Sequence, residues 1–194
     1  MTQPYQFIDS ADSFQRLLAR LRDEEVLALD TEFVWDRTYY ARLGLVQIGL
    51  SDGASFLIDP LAVPDLSPLG EFLSDPRRTK ILHDAPQDLM ILRRATGATA
   101  CHVFDTRLAA GFAGLGSTLS LANLLAETMG VHLAKAHTRA DWLARPLSPE
   151  ELEYAADDLR YLPQAAAFLR DRAREAGTEG WLDEEMAVLD DHGL

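Results

Sequence analysis

Apolar positions recur along the chain in two rhythms, and the change from one to the other marks its elements. After Asp9-Ser10-Ala11-Asp12, a helix start signal, Phe14, Leu17, Leu18 and Leu21 fall at the three- and four-residue spacing of an amphipathic helix. A short apolar stretch, Tyr5 to Ile8, precedes it. The runs Val26 to Glu32, Leu43 to Leu50 and Ala54 to Ile58 then read as strands. Ser51-Asp52-Gly53 joins the last two with a hairpin signal, which predicts an antiparallel meander. Beyond Asp59-Pro60, helices alternate with short strands: a helix near Ser67 to Leu73, a strand at Lys80 to His83, a helix from Pro86 to Thr96, and a strand at Ala100 to Phe104. Alternation of this kind implies crossover connections and parallel strands. Asp105-Thr106 caps a helix running to Gly111, and Ser120 to Met129 forms another, ending at Gly130. Val131 to Pro146 is irregular and is the expected mobile loop near a site. Ser148-Pro149-Glu150-Glu151 opens a long helix, with proline at its first position and acids in its first turn. The acidic stretch from Asp183 to the end is expected to be a solvated helix or a frayed tail.

This pattern fits one α/β domain over residues 1–194, with 47% hydrophobic residues against 25% charged to build its core. Cys101 is the single cysteine, and no Cys/His cluster has zinc spacing, so a reducing compartment and hard oxygen ligands are expected, with the cytoplasm the expected location. No secretory leader or membrane-length apolar run is visible. A net charge of −13 excludes a protein that coats nucleic acid through a broad basic surface, so any nucleic-acid contact must be local. Arginines grouped as Arg77-Arg78 and Arg93-Arg94 suit phosphate contacts or, equally, solvated faces.

The chemistry concentrates in carboxylates. Asp30 and Glu32 share one face of a buried-looking strand, and two like charges so close raise each other's pKa unless a cation intervenes, which points to a divalent metal. Asp88 opens the helix after the Lys80 strand, where a carboxylate suits the helix dipole and where α/β sheets also build sites. Tyr154 and Asp158 lie one turn apart on the long helix, and Asp157 is an equal candidate for the functional acid there.

Taken in order, Asp30-Thr31-Glu32-Phe33, Arg37-Thr38-Tyr39-Tyr40 with Leu43-Gly44-Leu45-Val46-Gln47-Ile48, His83 with Gln87-Asp88-Leu89, Asp141 to Ser148, and Tyr154-Ala155-Ala156-Asp157-Asp158 resemble the ribonuclease D branch of the DEDD 3′→5′ exonucleases. The resemblance spans nearly the whole chain. It implies a ribonuclease-H-like fold, a mixed five-stranded sheet flanked by helices. It also implies a site of Asp30, Glu32, Asp88 and Asp158 holding two Mg2+ or Mn2+ ions, with Tyr154 of the tyrosine subclass orienting the attacking water. Asp158 is thereby chosen over Asp157. In the implied roles Asp30 serves both metals, Glu32 and Asp158 complete the first, and Asp88 supports the second. Two such ions about 4 Å apart activate water and neutralise the phosphorane.

The resemblance further implies an enzyme that shortens RNA from single-stranded or frayed 3′ ends and releases 5′-monophosphates. Short oligonucleotides and DNA are alternative substrates, and a nucleic-acid-binding module without catalysis is the alternative class. Thr31, Phe33, His83, Gln87, Arg139 and Trp142 are the candidate substrate contacts, each with a packing role as its competitor. Asp105 is expected to cap a helix, and Gln47 to satisfy nearby backbone. Larger ribonuclease D proteins continue into helical HRDC domains, so with the chain ending at Leu194 a weaker grip on long structured RNA is expected.

Overall fold

The computed structural model describes residues 5–35, 39–133 and 140–191. Its centre is a sheet of six strands, β1 (Gln6–Ile8), β2 (Val26–Val34), β3 (Arg42–Leu50), β4 (Ser55–Ile58), β5 (Thr79–Leu82) and β6 (Val103–Asp105), in the order β1-β4-β3-β2-β5-β6. The β2-β3-β4 meander is antiparallel, whereas β5 and β6 join β2 in parallel. The Asp52-Gly53 turn is the expected one, with Gly53 at φ +87°. The expectation of five strands falls one short. The apolar stretch before the first helix is itself an edge strand, pairing in parallel with β4 from Gln6↔Phe56 to Ile8↔Ile58, and three residues are too few to show a periodicity in sequence.

Helices cover both faces. α1 (Ala11–Leu21) begins in a capping box between Ser10 and Ser13. A short 3-10 turn at Ser67–Leu69 runs into α2 (Gly70–Leu73). α3 (Pro86–Thr96) has proline at its start and left-handed Gly97 at its end, and α4 (Thr106–Phe112) is capped by Asp105. α5 (Leu121–Met129) ends at left-handed Gly130, and α6 (Pro149–Arg160) opens in a second capping box between Ser148 and Glu151. α7 (Leu162–Ala176) and α8 (Glu179–Asp191) follow.

The acidic stretch from Asp183 is a packed helix rather than a tail. Leu182, Met186 and Leu189 of α8 are buried, and Asp190 accepts hydrogen bonds from the backbone of His102 and Val103 at 2.7 and 3.1 Å. Asp183, Glu184 and Glu185 occupy its outer face, which is why composition alone suggested solvent. The core joins the inner strand residues Leu27, Leu29, Ile48, Ile58 and Leu82 to Phe14, Leu17, Leu92 and Leu169. Among the described residues, no helix is long and apolar enough to cross a membrane.

Candidate active site

Alternation along β2 places Ala28, Asp30 and Glu32 on one face, and the antiparallel register sets Gly49, Gln47 and Leu45 beside them on β3. α6 covers this face. A Cβ added to Gly49 would lie 3.0 Å from the Leu159 Cβ, so the missing side chain is what lets α6 approach closely. That approach carries Tyr154 and Asp158 over the strand acids. One oxygen each from Asp30, Glu32 and Asp158 falls within 4.8 Å of the others. Asp157 points elsewhere, pairing with Arg160 at 2.9 Å, so the helix presents Asp158.

Thr31 faces the opposite way and is buried. Its hydroxyl donates to Asp88 Oδ1, which fastens the first turn of α3 to β2. The turn leading into α3 is fixed by Asp105, whose carboxylate accepts from the backbone N–H of Asp84 at 3.0 Å and of Ala85 at 2.9 Å while also capping α4. Asp84 has a left-handed φ of +65°, a conformation that such bonds must hold in place.

Burial and mutual repulsion govern the electrostatics. Burial first, then Asp88, Asp158 and Glu32, push the Asp30 carboxyl well above its ordinary range. Burial, then Asp158 and Asp88, lift Glu32 to about 8. Asp158 and Asp88 each rise to about 6, chiefly through burial, against the pull of hydrogen bonds from Tyr154 and Thr31 respectively. These are four acids that resist ionising together. Gln47, fully buried opposite Asp30, helps to hold them: with its amide nitrogen facing the two acceptors, it donates to Asp30 Oδ2 at 2.9 Å and to the Ala155 carbonyl at 3.2 Å. It bonds α6 backbone, as expected of a strand amide, and also a site acid, which the sequence did not reveal.

Tyr154 hydrogen-bonds Asp158, and burial together with the neighbouring acids raises its phenol further above the ordinary value. It is therefore a neutral donor at every working pH. Its ring stands 6.3 Å from that of Trp142, which is only 4% exposed. The Trp142 segment is seated on the sheet by Arg145, which donates to Asp59 at 2.6 and 2.7 Å and to the Gly44 carbonyl at 2.7 Å. A Cβ on Gly44 would come within 2.5 Å of the Trp142 carbonyl oxygen, so only glycine fits there. Beside the acids opens a cavity of about 270 Å3, lined by Asp30, Tyr154, Asp158, His83, Leu121 and Leu162 among others.

Residues 5–173 match the model of a 3′-5′ exonuclease family. The chain belongs to that exonuclease family. It is 48% identical over 182 residues to ribonuclease D of Desulfotalea psychrophila, covering 94% of this chain and 49% of that one. The crystal structure of Escherichia coli RNase D, an exoribonuclease involved in structured RNA processing, superimposes with a TM-score of 0.89 at 38% identity, over 96% of this chain and 49% of that one. Brucella melitensis NrnC, solved bound to pGG, gives 0.80 at 27% identity, over 96% and 87%. The chain thus spans about half the length of its ribonuclease D relatives but most of NrnC. The neighbours carry a ribonuclease-H-like fold, in accord with the mixed sheet described above. Exonucleases of this family depend on divalent metal, and the Asp30, Glu32 and Asp158 cluster is where this member offers oxygen ligands.

The remaining sequence candidates are distributed unevenly around this candidate site. His83 lines the cavity, its Nε2 donating to the Leu119 carbonyl at 3.1 Å and its Nδ1 lying 2.9 Å from the Thr106 hydroxyl; burial lowers its pKa, which favours the neutral ring. Phe33 is half-buried past the bulge that follows Glu32, and Gln87 is exposed on the first turn of α3. Thr31 and Trp142 are buried and meet Asp88 and Tyr154 rather than solvent. Arg139, at the centre of the irregular segment, lies outside the described residues. Gln47, Arg145 and the cavity-lining Leu121 and Leu162 were not singled out as site residues in sequence, where each is one of many similar side chains.

Proposed function

We propose that this protein is a metal-dependent 3′→5′ exoribonuclease that hydrolyses the last phosphodiester bond of an RNA and releases a nucleoside 5′-monophosphate. The observation that carries this reading is the gathering of Asp30, Glu32 and Asp158 oxygens within 4.8 Å, with Asp88 near enough to raise the Asp30 pKa and with the Tyr154 hydroxyl beside Asp158. Carboxylates so placed, each held above its ordinary pKa, form a hard-oxygen donor set suited to Mg2+ or Mn2+. Two ions with Asp30, Glu32, Asp88 and Asp158 as ligands are the proposed complement. Bound there, divalent cations neutralise the phosphate and acidify the attacking water.

The chain's own groups do the rest. Gln47 and Thr31 fix the orientations of Asp30 and Asp88, so that the acids need no rearrangement on binding. Tyr154, kept neutral, donates a hydrogen bond and orients water or a phosphate oxygen rather than abstracting a proton. The cavity receives the terminal nucleotide, with neutral His83 at its wall. The proposed substrate is a single-stranded or frayed 3′ end in the cytoplasm, where a lone cysteine is at home.

A second reading, a nuclease for very short oligonucleotides, draws support from the fit to most of NrnC, a protein solved with pGG. A 5′-labelled oligoribonucleotide incubated with Mn2+ tests both. The expected result is a ladder of products shortened one nucleotide at a time from the 3′ end, abolished by EDTA and by Asp30→Asn. Internal cleavage, or full activity of Asp30→Asn, overturns the proposal. A dinucleotide arm separates the two readings.

A further inference from the structure

Beyond the end of β2 lies a second hollow, of about 580 Å3, that the hydrolytic site does not use. Trp35, Tyr39 and Tyr40 form one wall, and Met90, Ile91 and Arg94 of α3 form the other. Trp35 is 51% exposed, Tyr39 86% and Tyr40 54%, a concentration of bare aromatic rings that a globular domain ordinarily buries. The rings are ordered relative to one another. Tyr39 and Tyr40 meet edge to face at 4.7 Å, and the Arg94 guanidinium lies 3.6 Å from the Tyr40 centroid.

Charge narrows the occupant. In a chain of net charge −13 the described residues that line it include the cation Arg94 and no acid, and Arg42 at the start of β3 is exposed beside the lining residues Ala41 and Leu43. Aromatic faces interleaved with arginine form a platform for successive bases with a counter-charge for their phosphates. Position narrows it further. Trp35 follows Glu32 by three residues, roughly 10 Å at the strand rise. Arg94 follows Asp88 by six, roughly 9 Å at the helical rise. The cavity for the terminal nucleotide is walled by Asp30, Asp158 and residues of α5 and α6, whereas this hollow is walled by α3 and the segment that follows β2.

We infer that the hollow is an upstream subsite that stacks bases of the substrate strand about three nucleotides before the scissile bond, taking a stacked rise of about 3.4 Å per nucleotide. The inference rests on the exonuclease reading for its direction, and adds a length preference to it: strands long enough to reach Tyr39 and Trp35 are held more tightly than dinucleotides. Stacking reads neither base identity nor the 2′-hydroxyl, so the subsite favours length over sequence.

The test compares kcat/KM on a dinucleotide and on a hexaribonucleotide in Mn2+, for the wild type, Tyr39→Ala, Trp35→Ala and Tyr39→Phe. A 5′-fluorescein hexamer titrated into Asp30→Asn, with and without Tyr39→Ala, gives affinity independently of turnover. The expected outcome is a roughly tenfold fall in the hexamer-to-dinucleotide ratio for each alanine variant, through KM rather than kcat. Tyr39→Phe should restore it, and hexamer affinity should fall in parallel. An unchanged ratio with active enzyme overturns the subsite and leaves the exonuclease reading standing. If the wild type degrades neither strand, that reading falls, while a Tyr39-dependent affinity for the hexamer still supports the subsite. Sedimentation of a wild-type dimer that Tyr39→Ala dissociates would assign the rings to a self-interface and overturn the inference.

Discussion

The acids of the site set the protein's stability against its metal affinity, and Glu32 is where the conflict can be measured. Its carboxyl moves from an ordinary 4.5 to about 8, through burial first and then through Asp158 and Asp88. Because the folded pKa lies above the unfolded one, the metal-free folded protein holds the extra proton between those limits. The stabilisation is complete below pH 4.5, falls as pH rises, and is lost above pH 8. At 1.36 kcal/mol per unit the shift sets a ceiling of about 5 kcal/mol. Glu32→Gln removes the ionisation and keeps the shape. In EDTA at pH 9 the variant should exceed the wild type by several kcal/mol, roughly 10 °C in Tm for a chain of this size; at pH 4.5 the two should coincide. Mn2+ at a hundredfold excess over Kd should narrow that gap, since the wild type gains about 2.7 kcal/mol and the variant gains less. Urea unfolding across pH 4.5 to 9, with EDTA or Mn2+, reads all three effects. A variant whose pH slope parallels the wild type, or one less stable at pH 9 in EDTA, would refute the argument that Glu32 is held against its own charge.

Three further outcomes follow from the same geometry. Tyr154→Phe should keep the fold and reduce kcat by about ten- to a hundredfold, with no alkaline limb of the wild-type pH-rate profile assignable to a phenol, because burial holds Tyr154 neutral. Gly44→Ala should cost about 1–3 kcal/mol by forcing its Cβ into the Trp142 backbone, and calorimetry should show the loss together with reduced activity as Tyr154 loses its neighbour. Asp105→Ala removes the acceptor for the Asp84 and Ala85 amides and the cap of α4, and should cost about 2–4 kcal/mol in denaturant unfolding while weakening Mn2+ binding through a displaced Asp88.

Local signals in the chain state most of the architecture. Capping boxes, Pro86 and Pro149 at helix starts, the Asp52-Gly53 turn and the left-handed glycines act within a few residues, so the helices from α3 to α6 and the central meander are legible without coordinates. The edge strand β1 and the packed helix α8 are not. A three-residue strand has no period to detect, and the acids of α8 conceal Leu182, Met186 and Leu189 until β6 is seen beneath them.

By itself the sequence determined that Asp30 and Glu32 share a face, that Tyr154 and Asp158 share another, and that this order of motifs belongs with the exonucleases. The first two are properties of strand and helix geometry, set by spacing alone, and the third is a resemblance carried by the motifs themselves. Only the tertiary structure decided that the two faces meet, because the meeting depends on Gly49 admitting α6 and on Gln47 lying opposite Asp30 across a strand pair. It gave Asp157 to Arg160, and turned Trp142 and Thr31 inward as supports for Tyr154 and Asp88. It also gathered Trp35, Tyr39 and Arg94 into one hollow from segments more than fifty residues apart. Contacts so distant in the chain leave no periodic trace in it, since they arise from how elements pack and not from how each one forms.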